Sequence, residues 1–310
     1  MKVAVIGTGS WGKHHLRVFN EMGCLAAFVE KNHELRKTYE NKYNVPGFPD
    51  IQSLTKKIDL DAVTVCTPTA THYEIAQNTL SHGIATLVEK PLTYSSHQGQ
   101  ELVDIAKDNH AILTVGFIER FNPVIMGIKD NLLNKKLGDP LLLEFQRENR
   151  WAGITKDIGV ILDSSVHDID ASRWLFNDEP NVVFARTGNV ITKHDDFATI
   201  ILGFKNQKTA IIIANWVTPY KVRRISVTCT EGNMTGNYIS QEIQIDDGKS
   251  ITIPKKKHEE PLQNELTSFI ESIQSKQSPL VTGIDGVRTT QIAEAALSSA
   301  KRGVPIYMEL

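Results

Sequence analysis

The fold is decided by residues 3–12, which read VAVIGTGSWG. The apolar run at 3–6 predicts a buried strand, and Gly7, Gly9 and Gly12 follow it in the spacing G-x-G-x-x-G. In this spacing the first glycine allows a tight turn, the second lets the backbone approach a pyrophosphate, and the third lets a helix pack against the strand. The motif follows a strand and opens a helix, so it predicts a dinucleotide site at a helix N-terminus. The predicted contacts are Gly7, Thr8, Gly9, Ser10, Trp11 and Gly12.

The N-terminal part of the chain alternates apolar strands with amphipathic helices. The predicted strands are 2–6, 25–30, 61–66, 84–88 and 111–116, and the predicted helices are 11–22, 33–43, 70–82 and 95–109. Such an alternation indicates a parallel sheet with helices on both faces. We therefore expect residues 1–121 to form an α/β domain, a Rossmann domain that binds a dinucleotide.

The pattern changes after Phe121-Asn122-Pro123. Helices are predicted at 123–135 and 163–176, among strands at 141–148, 182–186, 197–204, 208–217, 222–229, 236–239 and 250–253. Strands in succession with short turns favour a mainly antiparallel sheet. Residues 122–310 are therefore expected to form an α+β domain with an open sheet, used for substrate binding and oligomerisation. Its last two helices are predicted at 261–276 and 285–302, the second capped by Asp285, ended by Gly303 and packed back toward the first domain.

Composition excludes several classes of partner. The 310 residues carry a formal net charge of -2, which gives no electrostatic basis for binding nucleic acid or an anionic membrane. No apolar run approaches the roughly 20 residues that span a bilayer, and no signal-peptide profile precedes the first strand. Cys24, Cys66 and Cys229 fit neither a disulfide framework nor a zinc site. We expect a small-molecule ligand, no metal and a cytoplasmic location.

Two further strand ends carry candidate cofactor contacts. Glu30 ends the second strand, where a carboxylate can accept both ribose hydroxyls of an adenosine and repel a 2′-phosphate, so NAD is favoured over NADP. Lys31 weakens that preference, and a solvated strand end is the alternative for Glu30. Thr67 and Pro68 end the third strand at the carboxyl edge, where open α/β sheets bind ligands. His72 begins the next helix, either as a cofactor contact or as a cap of local backbone.

The fourth strand ends in Glu89-Lys90-Pro91 at the same edge. Glu89 and Lys90 are therefore predicted to point toward the nicotinamide end of the cleft. Pro91 fixes its own φ and biases Lys90 toward an extended conformation, which would hold the ammonium group in one place. A surface Lys-Pro turn is the alternative.

Residues 157–170, DIGVILDSSVHDID, supply a candidate proton acceptor. If Asp163 and His167 lie on one helix, they are four residues apart and face the same way. An imidazole accepts protons near neutral pH, and a carboxylate one turn away can orient it. Asp168 and Asp170 are alternates, more in keeping with helix-surface charges. A core histidine with a structural role is the other interpretation of His167.

Taken together, these motifs resemble the Gfo/Idh/MocA oxidoreductases, which are NAD(P)-dependent sugar and cyclitol dehydrogenases. The resemblance runs from GTGSWGKHH (7–15) through VCTPTATHYEIA (65–76), VEKPL (88–92), ERFNP (119–123) and DSSVHDID (163–170) to the last helix. It implies that Lys90 lies between the cofactor ribose and the substrate and that His167, with Asp163, is the acid/base. It also implies a cis Lys90-Pro91 bond. Many relatives carry a glycine cluster before the Asp-x-x-x-His pair, whereas only Gly159 stands there in this chain.

The resemblance looks closest to the branch that oxidises UDP-N-acetylglucosamine at the 3-position. It implies hydride transfer from a secondary alcohol of a sugar ring to NAD, with Arg120 and Asn122 as further contacts to sugar or diphosphate. Arg223-Arg224 and Lys255–Lys257 could meet phosphate or be solvated charges. An inositol or free-sugar dehydrogenase and a non-catalytic dinucleotide-binding sensor are the alternatives. Relatives commonly form homodimers or homotetramers, which is the expected assembly.

Overall fold

The computed structural model describes residues 1–153, 157–255 and 257–309. The described chain divides into two compact units. The first combines Met1–Gly116 with Leu262–Val287, and the second combines Phe117–Pro261 with Arg288–Leu310. This division falls close to the predicted boundary at residue 121, but it assigns residues 262–287 to the first unit.

The first unit contains a six-stranded parallel sheet in the order β3-β2-β1-β4-β5-β6. Its strands are Val3–Ile6 (β1), Leu25–Val29 (β2), Gly47–Phe48 (β3), Ala62–Val65 (β4), Ala85–Val88 (β5) and Leu113–Val115 (β6). Its helices include Gly12–Glu21 (α1), His33–Tyr43 (α2), Ile51–Thr55 (α3), His72–Ser81 (α4) and Ser96–Asp108 (α5). The predicted Rossmann fold is confirmed, because the strand order reverses between β1 and β4 and creates a ligand crevice at their carboxyl ends. The pair β3 and α3 is too short to give a periodic signal and was not predicted.

The second unit contains a nine-stranded sheet in the order β14-β13-β12-β11-β7-β10-β9-β8-β15. Its strands are Pro140–Glu148 (β7), Val182–Gly188 (β8), Phe197–Gly203 (β9), Thr209–Asn215 (β10), Val222–Cys229 (β11), Gly232–Asn237 (β12), Glu242–Asp246 (β13), Ile251–Thr252 (β14) and Ile306–Tyr307 (β15). Among the described strands of this second sheet, only the pairing of β10 with β7 is parallel, so the predicted mainly antiparallel sheet is confirmed.

One predicted strand of this sheet is displaced along the chain. The sequence predicts a strand at 236–239, whereas β12 begins at Gly232 and ends at Asn237, and residues 238–241 form the turn to β13. Polar residues alternate with few apolar ones in β12, which hides its period. Gly236 is required there because a Cβ would lie 2.3 Å from Val124 Cγ1 and 2.9 Å from Ile225 Cγ2.

Helices cover one face of the nine-stranded sheet. They include Pro123–Leu133 (α6) and Val166–Phe176 (α7), and a π-helical turn at Ile161–Ser165 precedes α7. Buried residues Leu143, Phe145 and Arg147 alternate along β7 with the exposed residues Glu144 and Gln146, as expected for a sheet with one covered face.

The last two helices are Pro261–Ser275 (α8) and Gly283–Arg302 (α9). Asp285 was expected to cap α9, but the cap lies at Thr282: the N–H and hydroxyl of Thr282 donate to Asp285 Oδ2 at 2.8 Å, and the Asp285 N–H donates back to Thr282 Oγ1 at 3.3 Å. The Thr114 hydroxyl on β6 donates to the Val281 carbonyl at 2.6 Å, which ties this segment to the first sheet. No helix among the described residues combines the length and apolar character needed to cross a membrane.

Candidate active site

In the glycine turn after β1, two of the three glycines have no room for a side chain and the third has. Gly7 has φ +86°, and a Cβ there would lie 2.9 Å from the Cys66 carbonyl oxygen. A Cβ on Gly12 would lie 1.9 Å from the Gly7 carbonyl oxygen, so α1 packs on the turn through bare backbone. A Cβ on Gly9 would meet nothing within 4 Å. The open side of Gly9 at the start of α1 therefore fits the pyrophosphate of a dinucleotide.

Glu30 is held in place at the carboxyl end of β2. Its Oε2 accepts the Thr8 hydroxyl at 2.5 Å, and its Oε1 accepts the Asn32 N–H at 2.8 Å. The Arg36 guanidinium donates to the Glu30 carbonyl oxygen at 2.6 Å, a contact the sequence did not suggest. A fixed carboxylate at this edge suits the adenosine ribose.

The turn after β4 is tied together by its own side chains. The Thr71 hydroxyl lies 2.8 Å from Thr67 Oγ1 and 2.9 Å from the Pro68 carbonyl oxygen, and it can donate to both. Pro68 is exposed and Thr67 is partly exposed, so both remain available to a ligand at the crevice.

His72 joins this turn to the turn after β5. The ring is 1% exposed, with Nδ1 2.9 Å from the Pro91 carbonyl oxygen and Nε2 2.9 Å from the Thr67 carbonyl oxygen. Both partners are backbone carbonyl oxygens, as expected from the alternative interpretation in which His72 caps local backbone. Burial lowers the pKa of His72, and the two carbonyl oxygens act in the opposite direction. A neutral ring carries one N–H and satisfies one of the two acceptors at a time, whereas an imidazolium satisfies both.

The Glu89-Lys90-Pro91 turn has one internal partner that the sequence analysis missed. Glu89 Oε1 lies 3.1 Å from Nε2 of the fully buried His15 on α1, and Glu89 Oε2 accepts the Lys90 N–H at 3.3 Å. Gly116 leaves room for this carboxylate, because a Cβ there would lie 3.1 Å from it. The Lys90-Pro91 bond is cis, as predicted. The predicted contact of Glu89 with the nicotinamide stays a prediction, and its buried contacts speak against it.

In the second unit, Asp163 and His167 do not share one regular α-helix. Asp163 lies in the π-helical turn at Ile161–Ser165, and His167 lies in the first turn of α7. The wider turn replaces the predicted i, i+4 stacking, because π-helices bond residues five apart. The His167 ring is 8% exposed and meets Phe117 edge to face, with 6.4 Å between the ring centroids. The Asp163 carboxylate accepts the Ser164 hydroxyl at 3.3 Å.

Asp195, in the loop between β8 and β9, holds the start of this π-helical turn. Its Oδ2 accepts the Ile161 N–H at 2.8 Å, and its carbonyl oxygen accepts the Val160 N–H at 2.7 Å. A Cβ on Gly159 would lie 1.9 Å from Asp195 Oδ1, so glycine is needed for this contact. Burial raises the pKa of Asp195, and the Ile161 N–H opposes that rise. The isolated Gly159 was the only signal of this contact in the sequence.

The predicted substrate contacts Arg120 and Asn122 are buried inside the second unit. Arg120 donates from Nε and Nη2 to Asp170 at 2.7 and 2.6 Å. Asn122 caps α6 by accepting the Val124 N–H at 3.1 Å, and its amide donates to the Tyr238 carbonyl oxygen at 3.3 Å. Their contact with substrate stays a prediction, and these internal bonds speak against it.

Asp168 and Asp170 are not the helix-surface charges that the sequence suggested. Each is 1% exposed, and each accepts a bidentate contact from a buried arginine. In the described residues, no group of three or more His, Cys, Asp or Glu side chains is arranged to hold a metal ion. Within the predicted run Lys255–Lys257, Lys256 lies outside the described residues.

Two family models match the chain. The oxidoreductase family with an NAD-binding Rossmann fold matches residues 1–117, and the GFO/IDH/MocA C-terminal domain matches residues 127–235. Together these matches cover more than half of the chain. The six-stranded unit is therefore an NAD-binding domain, in agreement with the open side of Gly9 and the fixed carboxylate of Glu30.

Relatives are similar over nearly the whole length. The UDP-N-acetylglucosamine 3-dehydrogenase of Acidithiobacillus ferrooxidans is 25% identical over 303 residues, which cover 94% of this chain and 95% of that protein. Its solved structure has a TM-score of 0.90 and covers 97% of this chain and 98% of its own. The inositol 2-dehydrogenase of Rhizobium meliloti is 26% identical over 328 residues, 99% of each chain. The chain belongs to the Gfo/Idh/MocA family of NAD-dependent oxidoreductases that act on sugars and polyols.

Proposed function

We propose that the protein oxidises a secondary alcohol of a sugar ring to a ketone, with Lys90, His167 and Asp163 as its catalytic residues. The observation that carries the proposal is the position of Lys90. It follows β5 at the carboxyl edge of an NAD-binding sheet, on a cis turn bonded to the buried His72. Ligands bind at this edge in open α/β sheets.

Each residue has a distinct part in the proposed reaction. NAD, when bound, supplies the hydride acceptor. His167 takes the proton of the substrate hydroxyl, and Asp163 orients the substrate and the imidazole. Lys90 donates a hydrogen bond to the same oxygen and stabilises its developing negative charge, which contributes about 3 kcal/mol in comparable sites. Thr8, Ser10, Trp11, Thr67 and Pro68 are proposed to contact the cofactor around the glycine turn.

We infer that the substrate is a nucleotide sugar such as UDP-N-acetylglucosamine, oxidised at its 3-position. The similarity to the Acidithiobacillus ferrooxidans enzyme over 94% of the chain supports this choice. An inositol is the second candidate, because the Rhizobium meliloti inositol 2-dehydrogenase has comparable identity over 99% of the chain. NADH formation with UDP-N-acetylglucosamine, N-acetylglucosamine and myo-inositol, compared at equal concentrations, separates the two.

The catalytic assignment is tested by His167→Ala and Lys90→Ala. Each change is expected to lower kcat at least about a hundredfold, since positioned acid/base groups contribute that much. His97→Ala and Lys107→Ala, both exposed on α5, are matched controls and should keep kcat. Near-normal turnover in both site variants would refute the assignment. Tight NADH binding by the native protein without turnover of any sugar would favour a dinucleotide-binding sensor.

The open face of the nine-stranded sheet supports our proposal of a homodimer or homotetramer. Phe184, Ile201 and Ile211 lie side by side on neighbouring strands of this face, and Ile201 and Phe197 are 40% and 41% exposed. Contiguous exposed apolar residues mark interaction surfaces. Sedimentation of the native protein against an Ile201→Asp/Ile211→Asp variant is the test, and an unchanged assembly would contradict it.

A further inference from the structure

Three buried arginines of the second unit share one arrangement. Arg120, Arg147 and Arg173 each donate from Nε and Nη2 to a single carboxylate, at distances between 2.6 and 2.9 Å. The acceptors are Asp170, Asp168 and Glu179. Each guanidinium thus has its charge neutralised through the paired donors that suit a planar oxyanion.

Arg223, at the start of β11, is the exception. Its Nη1 donates to the carbonyl oxygens of Glu148 and Val222 at 2.8 Å, and its Nη2 donates to Asn149 Oδ1 at 2.7 Å. All three acceptors are neutral, and within residues 1–153, 157–255 and 257–309 no carboxylate forms an ion pair with this guanidinium. The three bonds use three of its five N–H donors. A fixed and partly buried guanidinium therefore keeps two donors and its full charge.

Arg223 lies next to a second arginine in the sheet. Arg223 stands directly opposite Arg147 in the antiparallel register of β11 and β7, and like charges in this position repel. Burial lowers the pKa of Arg223 to about 10, and Arg147 acts in the same direction, while the more distant carboxylates of Asp168, Glu119 and Asp163 oppose that decrease. Asp168 and Glu119 both form ion pairs with Arg147 at 2.8 Å, whereas among the described residues no carboxylate is in ion-pair contact with Arg223.

Lys221 adds a second cation on the same side. Lys221 is an exposed residue directly before β11, two positions from Arg223, whose side chain shares the sheet face of the buried Ile225 and Val227. Burial and the charge of Arg223 lower the pKa of Lys221. The carboxylate of Asp163 is among the charges that act on Arg223, which puts the two cations in the neighbourhood of the candidate catalytic segment.

We propose that Arg223 and Lys221 form an anion subsite that binds a phosphate group of the sugar substrate, an inference that rests on the sugar dehydrogenase function proposed above. The two remaining N–H donors of Arg223 can hold two oxygens of one phosphate. Lys221 is a compact point charge on a flexible stem and can reach the same group or the next phosphate of a diphosphate. Neither free sugars nor inositols carry a group that would neutralise this pair.

The test compares UDP-N-acetylglucosamine, N-acetylglucosamine 1-phosphate and N-acetylglucosamine in the native protein and in Arg223→Gln and Lys221→Ala. Arg223→Gln is expected to reduce at least about tenfold the ratio of kcat/KM for UDP-N-acetylglucosamine to that for the free sugar, through KM, because a charge-assisted contact is lost. Arg223→Lys should restore part of the ratio. Arg224→Gln is the matched control, since Arg224 is exposed and its side chain points to the opposite sheet face.

Several results would overturn the subsite. They are an equal loss with all three sugars, an equal loss in Arg224→Gln, or a rise in the KM for NAD, which would assign the anion to the cofactor. An Arg223-dependent ratio with N-acetylglucosamine 1-phosphate as well identifies the phosphate next to the sugar as the bound group.

A binding measurement separates this inference from the proposed function. By calorimetry, UDP and UDP-N-acetylglucosamine should bind the native protein at least about tenfold more tightly than Arg223→Gln. If that difference is found but no sugar is oxidised, the proposed function fails and the subsite stands. If neither compound binds the native protein, the subsite is refuted.

Discussion

The carboxyl edge of the first sheet and the helix-covered end of the second sheet hold their charged groups in different ways. At the first edge, Glu30 is fixed by Thr8 and Asn32, and His72 bonds two backbone carbonyls. At the second end, arginines and aspartates far apart in the chain form a bidentate network, as in Arg147 with Asp168. Backbone and glycine geometry thus shape the cofactor side, whereas side-chain charge balance shapes the other.

The largest expected effect is in the charge network. Arg147→Met should lower the free energy of unfolding by about 4 kcal/mol, because it leaves the buried carboxylate of Asp168 and the half-buried one of Glu119 without their cation. Urea denaturation measures this value. Arg224→Gln on the exposed face should change it by no more than about 0.5 kcal/mol. A loss below about 1 kcal/mol in Arg147→Met would mean that the network does not stabilise this unit.

In the glycine turn of the first unit, one substitution should lower stability and another should weaken NADH binding. Gly12→Ala should cost about 3 kcal/mol of stability, because its Cβ would lie 1.9 Å from the Gly7 carbonyl oxygen. Gly9→Ala meets nothing within 4 Å and should keep the melting temperature while raising the Kd for NADH at least about tenfold. Thermal unfolding and NADH fluorescence measure the two effects. A destabilised Gly9→Ala with native NADH affinity would reverse the interpretation of this turn.

The third prediction concerns pH. Burial lowers the pKa of His72 from 6.5, so the unfolded chain binds the proton more tightly. The stability that His72 contributes is therefore complete above about pH 6.5 and is lost as the pH falls toward the folded pKa, with a slope of at most about 1.4 kcal/mol per pH unit. Denaturation of the native protein and His72→Asn between pH 7 and pH 5 should show the smaller pH dependence in the variant. Parallel curves would exclude His72 as the source.

The smallest expected effect is a gain in stability, not a loss. Arg223→Gln removes the repulsion with Arg147 across the β11–β7 pair and should stabilise the ligand-free protein by about 0.5 kcal/mol. Arg147→Gln should destabilise it, although both residues occupy one cross-strand pair. Melting temperatures of the two variants give the comparison, and a loss of stability in Arg223→Gln would indicate that its bonds to neutral acceptors outweigh the repulsion.

The sequence predicts the cofactor side of the molecule better than the substrate side. Gly7, Gly9 and Gly12 fix a turn through local sterics, and the cis Lys90-Pro91 bond follows from a recognisable triplet. The contacts of His15 with Glu89 and of Gly159 with Asp195 join residues far apart in the chain, so no local period reports them.

The lack of a local period also explains why the sequence misplaces two elements of the second unit. The π-helical turn before α7 has no periodic signature of its own, and α-helical spacing was therefore extended back to Asp163. The exposed polar residues of β12 hide a strand whose place is set by its packing on α6. The bond of Arg120 to Asp170, 50 residues away, is likewise formed only on folding, so the sequence does not indicate it.

The segment Leu262–Val287 gives the first unit an unusual assembly order during synthesis. Leu113 and Val115 pack against Gly283 and Gly286, and Thr114 is bonded to Val281, so the sheet edge at β6 is covered by residues made almost last. During synthesis, strands β7–β14 are made before the residues that cover β6, and only the short β15 is made after them. Until the cover is made, the apolar residues of β6 in the nascent NAD-binding unit stay exposed. A fragment ending near residue 121 would keep them exposed and tend to aggregate.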